Sequence, residues 1–234
     1  MLAVLLAGTT FFCLMERGEQ SLNRAQLARE RVWPVLSSLL SIHEAQVGDP
    51  VFLRAVKEDS VLELWVKPHL MDRFVLVKRY PIAAWSGVLG PKEKEGDGQT
   101  PEGFYEVPLS ALNPQSKYHL SFNIGYPNAY DRSLNRTGSF IMVHGKDVSI
   151  GCLAMTDPGI EEIYTMVEQA LSHGQKCVPV QIYPFVPTQE RLQKEVDSPY
   201  FPFWSVLAQA WYWTERSHLP AQVRLVNGRL VVSE

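Results

Sequence analysis

Phe140 to Asp157 reads FIMVHGKDVSIGCLAMTD. The apolar run Ser139 to Val143 (SFIMV) predicts a short strand that delivers His144 to its end, and Gly145 permits a sharp turn there. Ser149-Ile150-Gly151-Cys152 then brings a thiol back towards the imidazole. Just beyond, Asp157-Pro158 opens a helix, with Asp as N-cap, Pro at the first helical position, and Glu161 and Glu162 in the first turns. Ile160, Ile163, Tyr164, Val167, Ala170 and Leu171 recur at helical spacing, and His173-Gly174 marks the stop. CVPVQIYPF, Cys177 to Phe185, reads as the next strand.

Working outward, VFLRAV (Val51 to Val56), VLELWVK (Val61 to Lys67) and RFVLVKRY (Arg73 to Tyr80) have strand composition, and Glu58-Asp59-Ser60 suits a hairpin between the first two. IAAWS and GFYEV continue as short strands, separated by the loop Gly87 to Gly103, which reads as too polar for the core. Glu16 to Gln46 has helical composition, with Pro34 expected to kink or split it. Gly48-Asp49-Pro50 is a strong break. The tail from Thr188 is helical and aromatic, then closes with VRLVNGRLVV, where Asn227-Gly228 predicts a type I′ hairpin turn. The chain therefore divides into an apolar segment at 1–15, a helical segment at 16–49, a main domain at 50–185 and a helical plus hairpin extension at 186–234. Its fold class is mainly β with flanking helices, α+β.

The 234 residues fit one globular domain with appendages, and a hydrophobic fraction of 46% supplies a sizeable core. A net charge of -3 argues against a nucleic-acid partner, which calls for a basic excess. Three cysteines, Cys13, Cys152 and Cys177, cannot all pair internally and contain no C-x-x-C, so neither a disulfide framework nor a structural zinc site is expected. Met1 to Met15 is apolar or small throughout, too short to span a bilayer comfortably but of the length of a secretory signal core. It lacks a preceding basic residue and a clean cleavage site, so a buried helix is its other reading; export is the favoured one.

Residue types alone leave His144 and Cys152 with two readings. One is a satisfied histidine and a buried structural cysteine. The other is a nucleophile with its base: a free thiol near pKa ~8.5 is little ionised at neutral pH and needs a neighbouring imidazole to take its proton. Gly151 beside the thiol allows a tight backbone whose N–H groups can converge on an oxyanion.

The complete pattern, His-Gly followed by Ser-x-Gly-Cys, resembles the active-site signature of the YkuD-like L,D-transpeptidase catalytic domain family, and within it the YafK branch. SGVLGPKEKEGDGQTPEGFY (Ser86 to Tyr105), NIGYPNAYDR (Asn123 to Arg132) and VQIYPF carry the resemblance across roughly Pro50 to Phe185. It implies a β-barrel or sandwich catalytic domain acting on peptidoglycan stem peptides. It also implies a periplasmic location in a Gram-negative type of envelope, with residues 1–15 as export signal or membrane anchor. No metal or organic cofactor is implied. Cys152 would be the nucleophile and His144 its proton acceptor and donor. The Gly145 carbonyl would orient the imidazole, Gly151 would supply oxyanion backbone, and Ser149 would orient the turn. The thioester would be resolved by a second diaminopimelate amine, by the lysine of a cell-wall-linked lipoprotein, or by water as in an amidase.

Two departures from the commoner family pattern matter: Ile150 stands where many members have His, and Ala154 where many have Arg. Both match the YafK branch, and both reduce the polar character expected beside the nucleophile. Lys92, Lys94 and Asp97 lie in the loop expected to border the cleft, where they either meet substrate carboxylates or form an ordinary solvated loop. Tyr130, Asp131 and Arg132 are further substrate-binding candidates, although Asn128 and Asp131 equally suit turn building. The tail tryptophans read first as packing, second as a carbohydrate platform for a non-catalytic wall-binding module.

Overall fold

The computed structural model describes residues 24–233; the apolar segment at 1–15 and Cys13 lie outside them. A five-stranded sheet runs in the order β3 (Val75–Pro81), β2 (Val61–Val66), β1 (Val51–Val56), β9 (Cys177–Tyr183), β4 (Gly103–Pro108). All neighbours are antiparallel except β1 and β9, which are parallel. A four-stranded sheet follows the order β5 (Leu112–Asn113), β6 (Ser121–Asn123), β7 (Met142–His144), β8 (Leu153–Ala154). The architecture is mixed α+β, as the sequence predicts.

β1 is buried along its whole length because both of its faces are covered. Val51, Leu53 and Ala55 enter the main core, while Phe52 and Val56 enter two satellite clusters. Arg54, alternating with them, is only 2% exposed; it pairs with Glu63 and Glu215 and stacks 3.7 Å over the Trp211 ring. Helix α3 (Asp157–Ser172) packs between the sheets and contributes Ile160, Ile163, Tyr164 and Val167 to the main core. Its N-cap is Thr156 rather than Asp157, one residue earlier than the sequence predicts. The Asp157 carboxylate instead accepts the Lys146 N–H at 2.9 Å, fastening the helix start to the turn after His144.

Helix α1 (24–41) runs through Pro34 unbroken, against expectation. Ala25, Ala28, Val32, Leu36 and Leu40 form its buried stripe, and Pro34 and Leu27 face solvent. Arg29 and Arg31 pair with Glu168 and Glu161 of α3. IAAWS forms no strand beyond a single bridge between Ala84 and Ala154.

In the tail, a short helix α4 (Gln189–Gln193) leads to α5 (Phe201–Ser217), which covers the other face of the large sheet. Trp204 and Trp211 are 3% and 7% exposed. They are packing residues, and the carbohydrate-platform reading does not apply to them. The chain closes in a hairpin, β10 (Gln222–Val226) and β11 (Arg229–Ser233), with Asn227 and Gly228 at φ of 49° and 75°. Positive φ at both central residues is the type I′ requirement. No helix among the described residues is long and apolar enough to cross a membrane.

Candidate active site

β7 and β8 run parallel, with Val143 opposite Leu153 and His144 opposite Ala154. Val143 and Leu153 are fully buried in the main core. Alternation along a strand then puts Met142, His144 and Ala154 on the other face of the sheet. Cys152 immediately precedes β8, and its sulfur lies against the backbone that leads into and begins β7. The Met142 N–H points at Cys152 Sγ from 3.4 Å, and the Phe140 carbonyl lies 3.7 Å from the sulfur.

His144 Nδ1 is 2.5 Å from the Gly145 carbonyl oxygen. A carbonyl can only accept, so Nδ1 carries the proton and Nε2 is left as the acceptor. The Gly145 N–H donates to the carbonyls of Tyr118 and Leu120, which fixes the orienting peptide in turn. Tyr118, which sequence reading missed, lays its ring 4.7 Å from the imidazole. His144 is consequently only 3% exposed. Burial lowers the His144 pKa, against the raising effect of the Gly145 carbonyl. Burial raises the Cys152 pKa, against the Met142 N–H and the Lys92 charge. The resting pair is therefore neutral imidazole and neutral thiol.

Ser149 Oγ donates to the Cys152 carbonyl at 2.8 Å and accepts the Gly151 N–H at 3.1 Å. Gly151, expected to offer its N–H to an oxyanion, has that N–H bonded within the turn. It sits at φ +129°, and a Cβ there would come 3.3 Å from the Gln99 carbonyl oxygen. Phe140, Lys146 and Thr156, all with side chains, also take positive φ around the site. Such strained positions collect where a fold holds functional geometry.

The bordering loop is far less solvated than its composition predicts. Pro91, Lys92, Gln99, Thr100 and Glu102 are buried. Gln99 holds the carbonyls of Val88 and Gly90 through its amide nitrogen, and accepts the Val88 N–H. Lys92 is 3% exposed and bonded to Asp97 at 2.5 Å and to the Lys94 carbonyl at 2.9 Å. Asp97 also accepts the N–H groups of Glu93, Lys94 and Gln99. Burial opposes its ionisation, but these donors outweigh it and hold the Asp97 pKa at about 2.

The other substrate-binding candidates fall elsewhere. Asp131 is 1% exposed; it closes a capping box with Asn128 on helix α2 (Ala129–Ser133) and pairs with Arg136. It is a turn builder. Tyr130 stacks on Phe203, and Arg132 bonds the Pro127 carbonyl. Both line a separate cavity of about 410 Å³ between β4, β9 and the terminal hairpin, whose walls include neither His144 nor Cys152. Ala154 is fully buried and bridged to Ala84, whereas Ile150, two residues before Cys152, is 87% exposed.

Fold and site together define a Cys–His constellation at the edge of a small sheet in an α+β domain. The YkuD L,D-transpeptidase catalytic domain model matches residues 63–182. YafK of Escherichia coli (strain K12) is 43% identical over 188 residues, which are 80% of this chain and 76% of YafK. Two crystal structures of the helical cell shape determining protein Pgp2 from Campylobacter jejuni are also similar. A point mutant gives a TM-score of 0.47 at 22% identity over 76% of this chain and 61% of that chain. The other gives a TM-score of 0.46 at 18% identity over 81% and 79%. The chain belongs to the YkuD L,D-transpeptidase catalytic domain family.

Proposed function

We propose that the protein is a cysteine-dependent peptidoglycan acyltransferase that forms a thioester on Cys152 with a diaminopimelate-containing stem peptide. The observation that carries this reading is the His144 Nδ1 bond to the Gly145 carbonyl at the end of β7, the strand whose Met142 N–H meets Cys152 Sγ. It fixes the tautomer whose Nε2 can accept a thiol proton. As that proton leaves, Sγ attacks the carbonyl carbon of diaminopimelate. The C–N bond beyond it breaks, and the departing amine takes the proton back from the imidazolium. An amine or water then cleaves the thioester and regenerates the thiol. With the Gly151 N–H bonded to Ser149, the backbone oxyanion role falls to the Cys152 N–H.

Because peptidoglycan lies beyond the cytoplasmic membrane, this reading locates the domain in the periplasm of a Gram-negative type of envelope, exported by the apolar residues 1–15. Lys92 is a carboxylate-binding candidate only if substrate displaces Asp97.

The exposed Ile150 and buried Ala154 favour hydrolysis or amide release over cross-linking, since neither gives a second charged stem peptide a polar anchor. An amine acceptor needs such a groove, whereas water needs only access. An efficient amine acceptor would sooner be the lysine of a wall-linked lipoprotein. The test is mass spectrometry of products from disaccharide-tetrapeptides, and separately from lipoprotein-linked fragments, with Cys152→Ala as control. Hydrolysed or released products from the intact protein alone are expected. Abundant diaminopimelate-to-diaminopimelate dimers would restore transpeptidation as the main reaction, and equal product from Cys152→Ala would refute the thioester.

A further inference from the structure

Lys57 and Glu102 form an ion pair at 2.9 Å in which both side chains are fully buried. Neither belongs to the machinery described above. Lys57 Nζ also donates to the carbonyls of Val88, Gly90 and Thr100, all in the loop that borders Cys152. The Glu102 oxygen that meets Lys57 accepts the Gly90 N–H at 2.7 Å. Its other oxygen accepts the indole N–H of Trp204, on α5, also at 2.7 Å. The Tyr200 ring, at the start of α5, lies against Gly90 so closely that a Cβ there would come within 2.8 Å of it. Leu89 packs into the same aromatic cluster as Trp204 and Phe185. At its far end, Thr100 Oγ1 donates to the Cys152 carbonyl at 3.3 Å, and the Gln99 carbonyl abuts Gly151.

We infer that the C-terminal helix α5 is the brace of the active-site loop, with Trp204, Glu102 and Lys57 as positioning residues that act on Cys152 through Thr100. A fully buried ammonium is tolerated only when its charge is paired and its protons are accepted. Three of its four acceptors are loop carbonyls, so the loop conformation that satisfies Lys57 is the one that aligns the nucleophile turn. Trp204 closes the last open side of Glu102. The same loop carries Lys92, whose charge acts on the thiol. Loosening it moves both the Cys152 backbone and that charge. The inference rests on Cys152 being the nucleophile.

Trp204→Phe keeps an aromatic ring but removes the N–H together with the rest of the pyrrole ring, and Glu102→Gln retains the shape and removes the charge. Two readouts are followed in each: alkylation of the Cys152 peptide by iodoacetamide across pH, and kcat and KM on disaccharide-tetrapeptide. Trp213→Phe, on the same helix, is the control. In Trp204→Phe the alkylation curve is expected to move to higher pH. Its kcat per folded protein is expected to fall about fivefold or more while KM stays within about twofold, beyond the lower thermal midpoint that the lost core volume brings. If Trp204→Phe fails to fold, Thr100→Val, which keeps the side-chain shape and removes the hydroxyl that meets the Cys152 carbonyl, carries the same readouts. An unmoved alkylation curve, or activity lost only in proportion to folded protein, would overturn the brace. Alkylation uses no substrate, so it judges the brace even if Cys152→Ala turns out to retain turnover and the acyl-transfer reading falls.

Discussion

The Met142 N–H and Cys152 Sγ meet at 3.4 Å where the chain enters β8, with His144 two residues beyond Met142 on β7. This contact ties the thiol to the strand that ends in His144. Cys152→Ala is expected to abolish turnover, by about a thousandfold or more, while leaving thermal unfolding close to wild type, because the sulfur is half-buried and supplies little packing. Retained turnover with a normal unfolding curve would discard the nucleophile.

The neutral resting pair sets the pH dependence. His144 is held below its ordinary 6.5, so the imidazole is a competent base at pH values where an ordinary histidine is half charged. The acid limb of kcat/KM is expected below 6.5. Cys152 is held above its ordinary 9.0, so little thiolate exists at neutrality, and alkylation at pH 7 should be slower than for a free cysteine. Fast alkylation persisting into acid would mean a thiolate–imidazolium pair instead.

Gly151→Ala should damage both stability and rate. Its φ of +129° is strained for any residue with a Cβ, and the Gln99 carbonyl stands 3.3 Å away. A loss of about 1–3 kcal/mol in denaturant unfolding is expected, together with reduced turnover as the Ser149-to-Cys152 turn shifts. An unaltered variant would show that the turn relaxes freely.

Asp97 links loop stability to acid. Its folded pKa of about 2 lies below the ordinary 3.8, so its contribution is complete above 3.8 and is lost as pH falls through about 2. The stability gap between wild type and Asp97→Asn should therefore be widest above pH 3.8 and narrow on acidification. A gap that is constant across that range would remove the ionised carboxylate from the account.

Arg54→Ala should be among the most destabilising single changes. It leaves the buried Glu63 without its principal partner and opens the stack on Trp211. About 3–5 kcal/mol is the usual cost of breaking such a buried pair, and urea unfolding measures it directly.

Elements whose signals are local can be read from the residues alone. The β1–β2 hairpin, the body of α3, the strand at Cys177–Tyr183 and the Asn227-Gly228 turn follow from periodicity and turn chemistry over a few residues. His144 and Cys152 were legible as candidates because they stand in one short stretch. What only the tertiary structure decided depends on partners far along the chain. Pro34 sits in an unbroken α1 because it faces solvent while the Ala25-to-Leu40 stripe packs on the core. The polar loop beside Cys152 is buried because Lys57 and Trp204 satisfy it from two separate segments and Gln99 from within. Asp131 and Lys92 find partners close by in the chain, Asn128 and Arg136 for the one and Asp97 for the other, and what the fold adds is their burial. A charged side chain announces its charge in the sequence, but whether solvent, substrate or a buried counter-charge answers it is fixed only when distant segments meet.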